Sequence, residues 1–65
     1  MSTFPWTSNG VTFRTRRDLE RAVEILASAG TKEHLEAAHT LLNEAKTEKK
    51  LNTDQFTEIR ERLHL

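Results

Sequence analysis

Phe4-Pro5-Trp6-Thr7-Ser8-Asn9-Gly10-Val11-Thr12-Phe13-Arg14-Thr15 is the stretch whose reading decides the fold. Asn9-Gly10 suits a type I′ turn, because both central residues of that turn need positive φ and these two tolerate it best. A two-residue loop fixes the register, pairing Ser8 with Val11, Trp6 with Phe13 and Phe4 with Thr15. One face of the ribbon then carries Phe4, Trp6, Val11 and Phe13, and the other carries Pro5, Thr7, Thr12 and Arg14. A lone hairpin is marginal in water and needs a cover over its apolar face. Helices from the rest of the chain can supply it.

Thr15-Arg16-Arg17-Asp18 has the form of a capping box, with a carboxylate three residues after a threonine, able to reach back to the cap amide. A first helix is predicted over about 16–29, with Leu19, Ala22, Val23, Leu26 and Ala29 at three- and four-residue steps and Ile25 and Ala27 widening the stripe. Gly30 fits as its left-handed terminator, and Thr31 can cap the next helix at once. The second helix is predicted over about 32–49, with Leu35, Ala38, Leu41, Leu42 and Ala45 inward. Alanines at Ala22, Ala38 and Ala45 let the two backbones approach closely. The third helix, about 53–64, has the fullest start signal: Asn52 as cap, Gln55 at N3, and Leu51 with Phe56 as a hydrophobic staple. Phe56, Ile59 and Leu63 line one side of it. The fold class is therefore α+β: an N-terminal two-stranded hairpin over about 4–15, then three helices, ββααα, as a single domain spanning 1–65. The expected core is Trp6, Val11, Phe13, Leu19, Val23, Leu26, Leu35, Leu42, Phe56, Ile59 and Leu63.

Length limits what such a core can do. At 65 residues, a single core seldom supplies more than about 3–5 kcal/mol. Disulfides and thiolate metal sites are excluded, since the chain has no cysteine. His34, His39 and His64 lack a spacing that would gather them around a metal. Self-association is the remaining aid, and a homodimer is weighed beside a monomer. Ten acids balance ten bases, so the high net charge typical of disordered chains is missing. No apolar run approaches the length of a membrane span, and no secretory leader pattern opens the chain. The Met1 start leads us to expect a whole small gene product, with a cytoplasmic location.

Catalytic patterns do not emerge. There is no cysteine nucleophile, no recognisable serine–histidine setting and no glycine-rich phosphate loop. His34 and His39 are expected as boundary residues on the flanks of the second helix's stripe. Carboxylate pairs such as Glu33 with Glu36 read as solvated helix faces. The expectation is a non-enzyme with no cofactor, no metal and no small-molecule substrate.

Charge is segregated along the chain. Residues 1–17 carry Arg14, Arg16 and Arg17 and no acid, while residues 18–48 hold three bases and seven acids. Arg16 and Arg17 lie in a first helical turn, where cations oppose the helix dipole, which hints at a role elsewhere. With Arg21 they suggest an arginine edge, and arginine suits phosphate through its paired donors. Acids within the same helix and a neutral total charge count against nucleic acid as the partner. Glu33, Glu36 and Glu44 are expected on the outer face of the second helix. Like-charged i,i+4 neighbours (Arg17/Arg21, Glu20/Glu24) oppose helix stability and fit complementary patches that steer association.

The reading is a small regulatory or adaptor protein acting through another protein, or through a second copy of itself, including as an inhibitor of a larger protein. Its candidate surface is Trp6, Arg14, Arg16, Arg17, Arg21, Glu33, Glu36 and Glu44. Trp6 is the natural anchor if accessible, and otherwise simply packs on Phe13. An exposed hairpin edge is a further route to pairing, with Pro5 counting against the first strand. The alternative is a nucleic-acid-binding regulator using Arg14, Arg16, Arg17 and Arg21.

Overall fold

Asn9 and Gly10 both adopt positive φ, 51° and 80°, and the chain reverses there. The computed structural model describes residues 4–65, so the first three residues of the expected 1–65 domain lie outside the described ones. Strand β1 (Trp6–Ser8) pairs antiparallel with β2 (Val11–Phe13), with Trp6 opposite Phe13, Thr7 opposite Thr12 and Ser8 opposite Val11. The Thr7 and Thr12 hydroxyls bond across the ribbon at 2.9 Å. The expected Phe4–Thr15 pair does not form. The ladder ends at Trp6–Phe13 because Thr15 leaves the ribbon to cap the first helix.

Helix α1 (Arg16–Ala29) begins where the Thr15 hydroxyl accepts the Asp18 amide at 3.3 Å. Only half of the anticipated capping box is made. The Asp18 carboxylate reaches one residue further back and accepts the Arg14 amide at 3.2 Å, which ties the end of β2 to the start of α1. Gly30, at φ 75°, terminates α1, and the Thr31 hydroxyl accepts the His34 amide at 3.1 Å to open α2 (Lys32–Thr47). The short connection makes the two helices an antiparallel hairpin, as the Gly-Thr pair led us to expect.

Helix α2 stops two residues before the predicted Lys49. Lys49 turns left-handed (φ 61°) and donates its amide to the Lys46 carbonyl at 3.1 Å, while the Lys50 amide donates to Ala45 at 2.7 Å. This is a Schellman ending built on a lysine. The left-handed region costs an L side chain roughly 1–2 kcal/mol, so the sequence signal, with no glycine there, pointed to a longer helix. Helix α3 (Thr53–Leu63) opens on a reciprocal box: Asn52 Oδ1 accepts the Gln55 amide at 2.7 Å and Gln55 Oε1 accepts the Asn52 amide at 3.0 Å. It ends at Leu63, with His64 left-handed at φ 57°.

One buried cluster joins all three helices to the hairpin: Phe13, Leu19, Val23, Ala38, Leu42, Ala45, Leu51, Phe56 and Ile59. Ala38 and Ala45 are completely buried, consistent with close approach of α1 and α2. Phe56 lies beneath two cations, Lys46 Nζ at 4.8 Å and the Arg60 guanidinium at 5.5 Å from the ring centre. Three expected core residues, Trp6, Leu26 and Leu63, are only half-buried on the cluster's margin. Leu35 is half-buried and stands outside the cluster. Val11 is a clear correction: it is 53% exposed, because it sits beside the turn at the tip of the ribbon, lining an open cleft with Leu26 and Leu41 instead of joining the buried cluster. No helix among the described residues is long and apolar enough to cross a membrane.

Candidate interaction surface

The outward side of α1 carries two adjacent ridges of opposite charge. Arg17 and Arg21 stand one turn apart on one ridge, Glu20 and Glu24 on the next. Helical geometry puts this pair of ridges opposite Leu19 and Val23, whose side chains fill the core. Glu20 is the innermost of the four. Its carboxylate meets Arg16 Nε at 3.5 Å on its own helix and Arg62 Nη2 at 3.9 Å from α3. Arg17, Arg21 and Glu24 form no ion pair among the described residues.

Ile25 follows Arg21 along the arginine ridge and is 63% exposed. The expectation that it widens the inner stripe is corrected. At about 100° per residue it lies roughly 130° from the middle of the Leu19–Val23–Leu26 face, too far round to reach the core. It helps line an open hollow of about 540 Å³ with Arg17, Glu20, Arg21, Glu24 and Arg62.

The eight residues singled out in the sequence do not form one surface. Arg17 and Arg21 come together in the α1 hollow, and Arg16 adjoins it through Glu20. Arg14 is exposed beyond the end of β2 and does not line the hollow. Glu33 and Glu36 are exposed in the first turns of α2. Glu44 does not point outward as expected: it is half-buried and accepts the Ser8 hydroxyl at 2.6 Å, fastening the hairpin to α2. Trp6 is half-buried against Phe13, with ring centres 5.7 Å apart and planes inclined by 35°. Its free edge lines a separate groove of about 490 Å³ with Ser8, Asn43, Glu44 and Glu48. The groove and the α1 hollow share no residue. His34 and His39, expected at the apolar boundary, are both exposed, and the His34 ring nitrogen bonds the Thr31 hydroxyl that caps its helix.

Two contributors were missed. Arg62 stands three residues after Ile59, a spacing that sets it on the flank of that helix's inner stripe. Ile25 was expected only to widen the inner stripe, although its neighbours Arg21 and Glu24 mark that side as wet. Comparison with protein-family models, curated proteins and solved structures finds no match to this chain.

Proposed function

We propose that this chain is a small non-enzymatic regulator or adaptor that works in the cytoplasm by binding protein through the outward face of α1. The observation that carries the reading is Ile25: a large apolar side chain, 63% exposed, set among Arg17, Arg21, Arg62, Glu20 and Glu24. An apolar centre with arginines around it is the make-up of a binding hot spot, where burial supplies affinity and charge supplies orientation. The absence of cysteine agrees with a reducing compartment.

A second reading, nucleic-acid binding along the arginine edge, has in its favour that Arg17 and Arg21 form no ion pair among the described residues. Two glutamates share their hollow, and the chain as a whole has no net charge, both of which oppose phosphate.

The test uses the protein immobilised as wild type, as Ile25→Asp and as Glu33→Gln, each exposed to extract of its native cell. Wild type and Glu33→Gln should retain the same protein, and Ile25→Asp should lose it. Equal retention by all three overturns the assignment of this face. Salt-sensitive retention of DNA or RNA, indifferent to Ile25→Asp, would support the second reading instead.

A further inference from the structure

We infer that the groove between β1 and α2 receives an arginine side chain from an extended segment of a partner protein. The groove shares no residue with the α1 hollow, so this second site stands or falls independently of the first. Trp6, Thr7 and Ser8 of β1 form one wall, and no residue of β2 lines it, so the groove lies along the outer edge of β1. The facing wall is the side of α2 that carries Asn43, Glu44 and Glu48.

Charge selects the occupant. Glu44 and Glu48 stand one turn apart at the C-terminal end of α2, where they repel each other and the helix dipole opposes both. Neither forms an ion pair among the described residues, and no cationic side chain lines the groove. Lys46 lies on the opposite side of α2, over the Phe56 ring. Glu44 is half-buried, and the Ser8 hydroxyl that holds its Oε2 at 2.6 Å orients the carboxylate without neutralising it. A carboxylate withdrawn from water in this way favours a cation beside it.

The strand edge sets the form of the segment. A two-residue turn makes Ser8 and Val11 a hydrogen-bonded pair, so Thr7 and Thr12 form the next, non-bonded pair. The Thr7 N–H and C=O therefore point away from β2, on the groove side, where an extended chain can pair with them. Pro5 offers no N–H, so pairing stops at Thr7 and recognition falls to the side chain. Arginine suits this site better than lysine. Its planar guanidinium donates in several directions, enough to meet two carboxylates, and it is the more weakly hydrated cation. Its aliphatic stem can lie on Trp6.

The test titrates the protein with the peptide acetyl-Gly-Arg-Gly-amide at low salt, following the NMR signals of the Trp6 indole N–H and the Asn43 side-chain amide. A citrulline peptide, of the same shape without the charge, is run beside it. Wild type should show saturable shifts with the arginine peptide, weakened by added salt, and none with citrulline. Glu44→Gln, which keeps an acceptor for Ser8, should weaken binding about tenfold. Glu48→Gln should weaken it about threefold. Glu48 is exposed, so that variant still reads the site should loss of the Glu44 charge loosen the hairpin. Glu58→Gln, an equal change of charge at an exposed position on α3, should bind as wild type does. No saturable shift in wild type overturns the inference, as does equal binding of the citrulline peptide or an equal loss in Glu58→Gln. Sedimentation of wild type alone gives the last arm: self-association abolished by Glu48→Gln would make the occupant a second copy and overturn the assignment to a partner protein.

Discussion

The two sides of α1 follow opposite rules. Leu19 and Val23 on the inner side have no exposed surface, and every neighbour in their cluster is apolar. Half a turn away, Arg17, Arg21 and Glu24 stand in solvent without ion pairs among the described residues, beside an isoleucine that is 63% exposed. One 14-residue helix therefore carries a folding face and, opposite it, the face proposed for recognition. Substitutions on the inner side should change stability, and those on the outer side should change association. Leu19→Ala is the strongest way to break this contrast. Loss of a fully buried leucine costs about 2–5 kcal/mol, against a total of roughly 3–5 kcal/mol for a core of this size. Urea titration followed by Trp6 fluorescence should find the variant largely unfolded in buffer. A loss below about 1 kcal/mol would mean that the inner side does not hold the fold.

Thr15→Ala tests how the helix is anchored between its two sides. The variant loses the acceptor for the Asp18 amide, while Asp18 can still accept from Arg14. The expected cost is about 1 kcal/mol, read from the same urea transition. Next is Arg62→Ala, which removes the contact joining the outer side of α1 to α3. Arg62 is half exposed and its contact with Glu20 is long, at 3.9 Å. Such a pair contributes below about 1 kcal/mol, and the difference from wild type should shrink as salt is added. A salt-independent loss would show that Arg62 acts through packing of its stem instead.

The sequence was most legible where short-range chemistry decides the structure. Asn9-Gly10, the Thr15 and Thr31 caps, Gly30 and the Asn52–Gln55 box each act within a few residues, and each appears where its residues placed it. The end of α2 was misread for a related reason. Its left-handed residue is Lys49, which carries no local signal and is held there by carbonyls at Lys46 and Ala45. Burial was less legible at the edges of the pattern. Val11 alternates correctly within its strand, yet sits at the ribbon tip on an open cleft with Leu26 and Leu41, outside the buried cluster. Glu44 looked like a surface acid until the hairpin folded over it and presented the Ser8 hydroxyl. The candidate surface was half legible: the arginine and glutamate rows could be read from four-residue spacing, whereas Arg62 comes from α3 and joins them only through tertiary packing.

Ile25→Ala is the smallest change and the finest probe of the contrast. An inward isoleucine cut to alanine loses about 2–5 kcal/mol. At an exposed helical site there is little packing to lose, and alanine is the better helix former by up to about 0.7 kcal/mol. The variant should therefore unfold within about 0.5 kcal/mol of wild type, on the stabilised side. A change of that sign cannot come from core packing, and it leaves an isoleucine that opposes the helix it sits in and gives the isolated fold nothing in return. If the same variant also binds its partner less well, that side chain is placed for recognition. If instead it destabilises by more than about 1 kcal/mol, Ile25 belongs to the inner side, and the division of α1 into a folding face and a binding face is wrong.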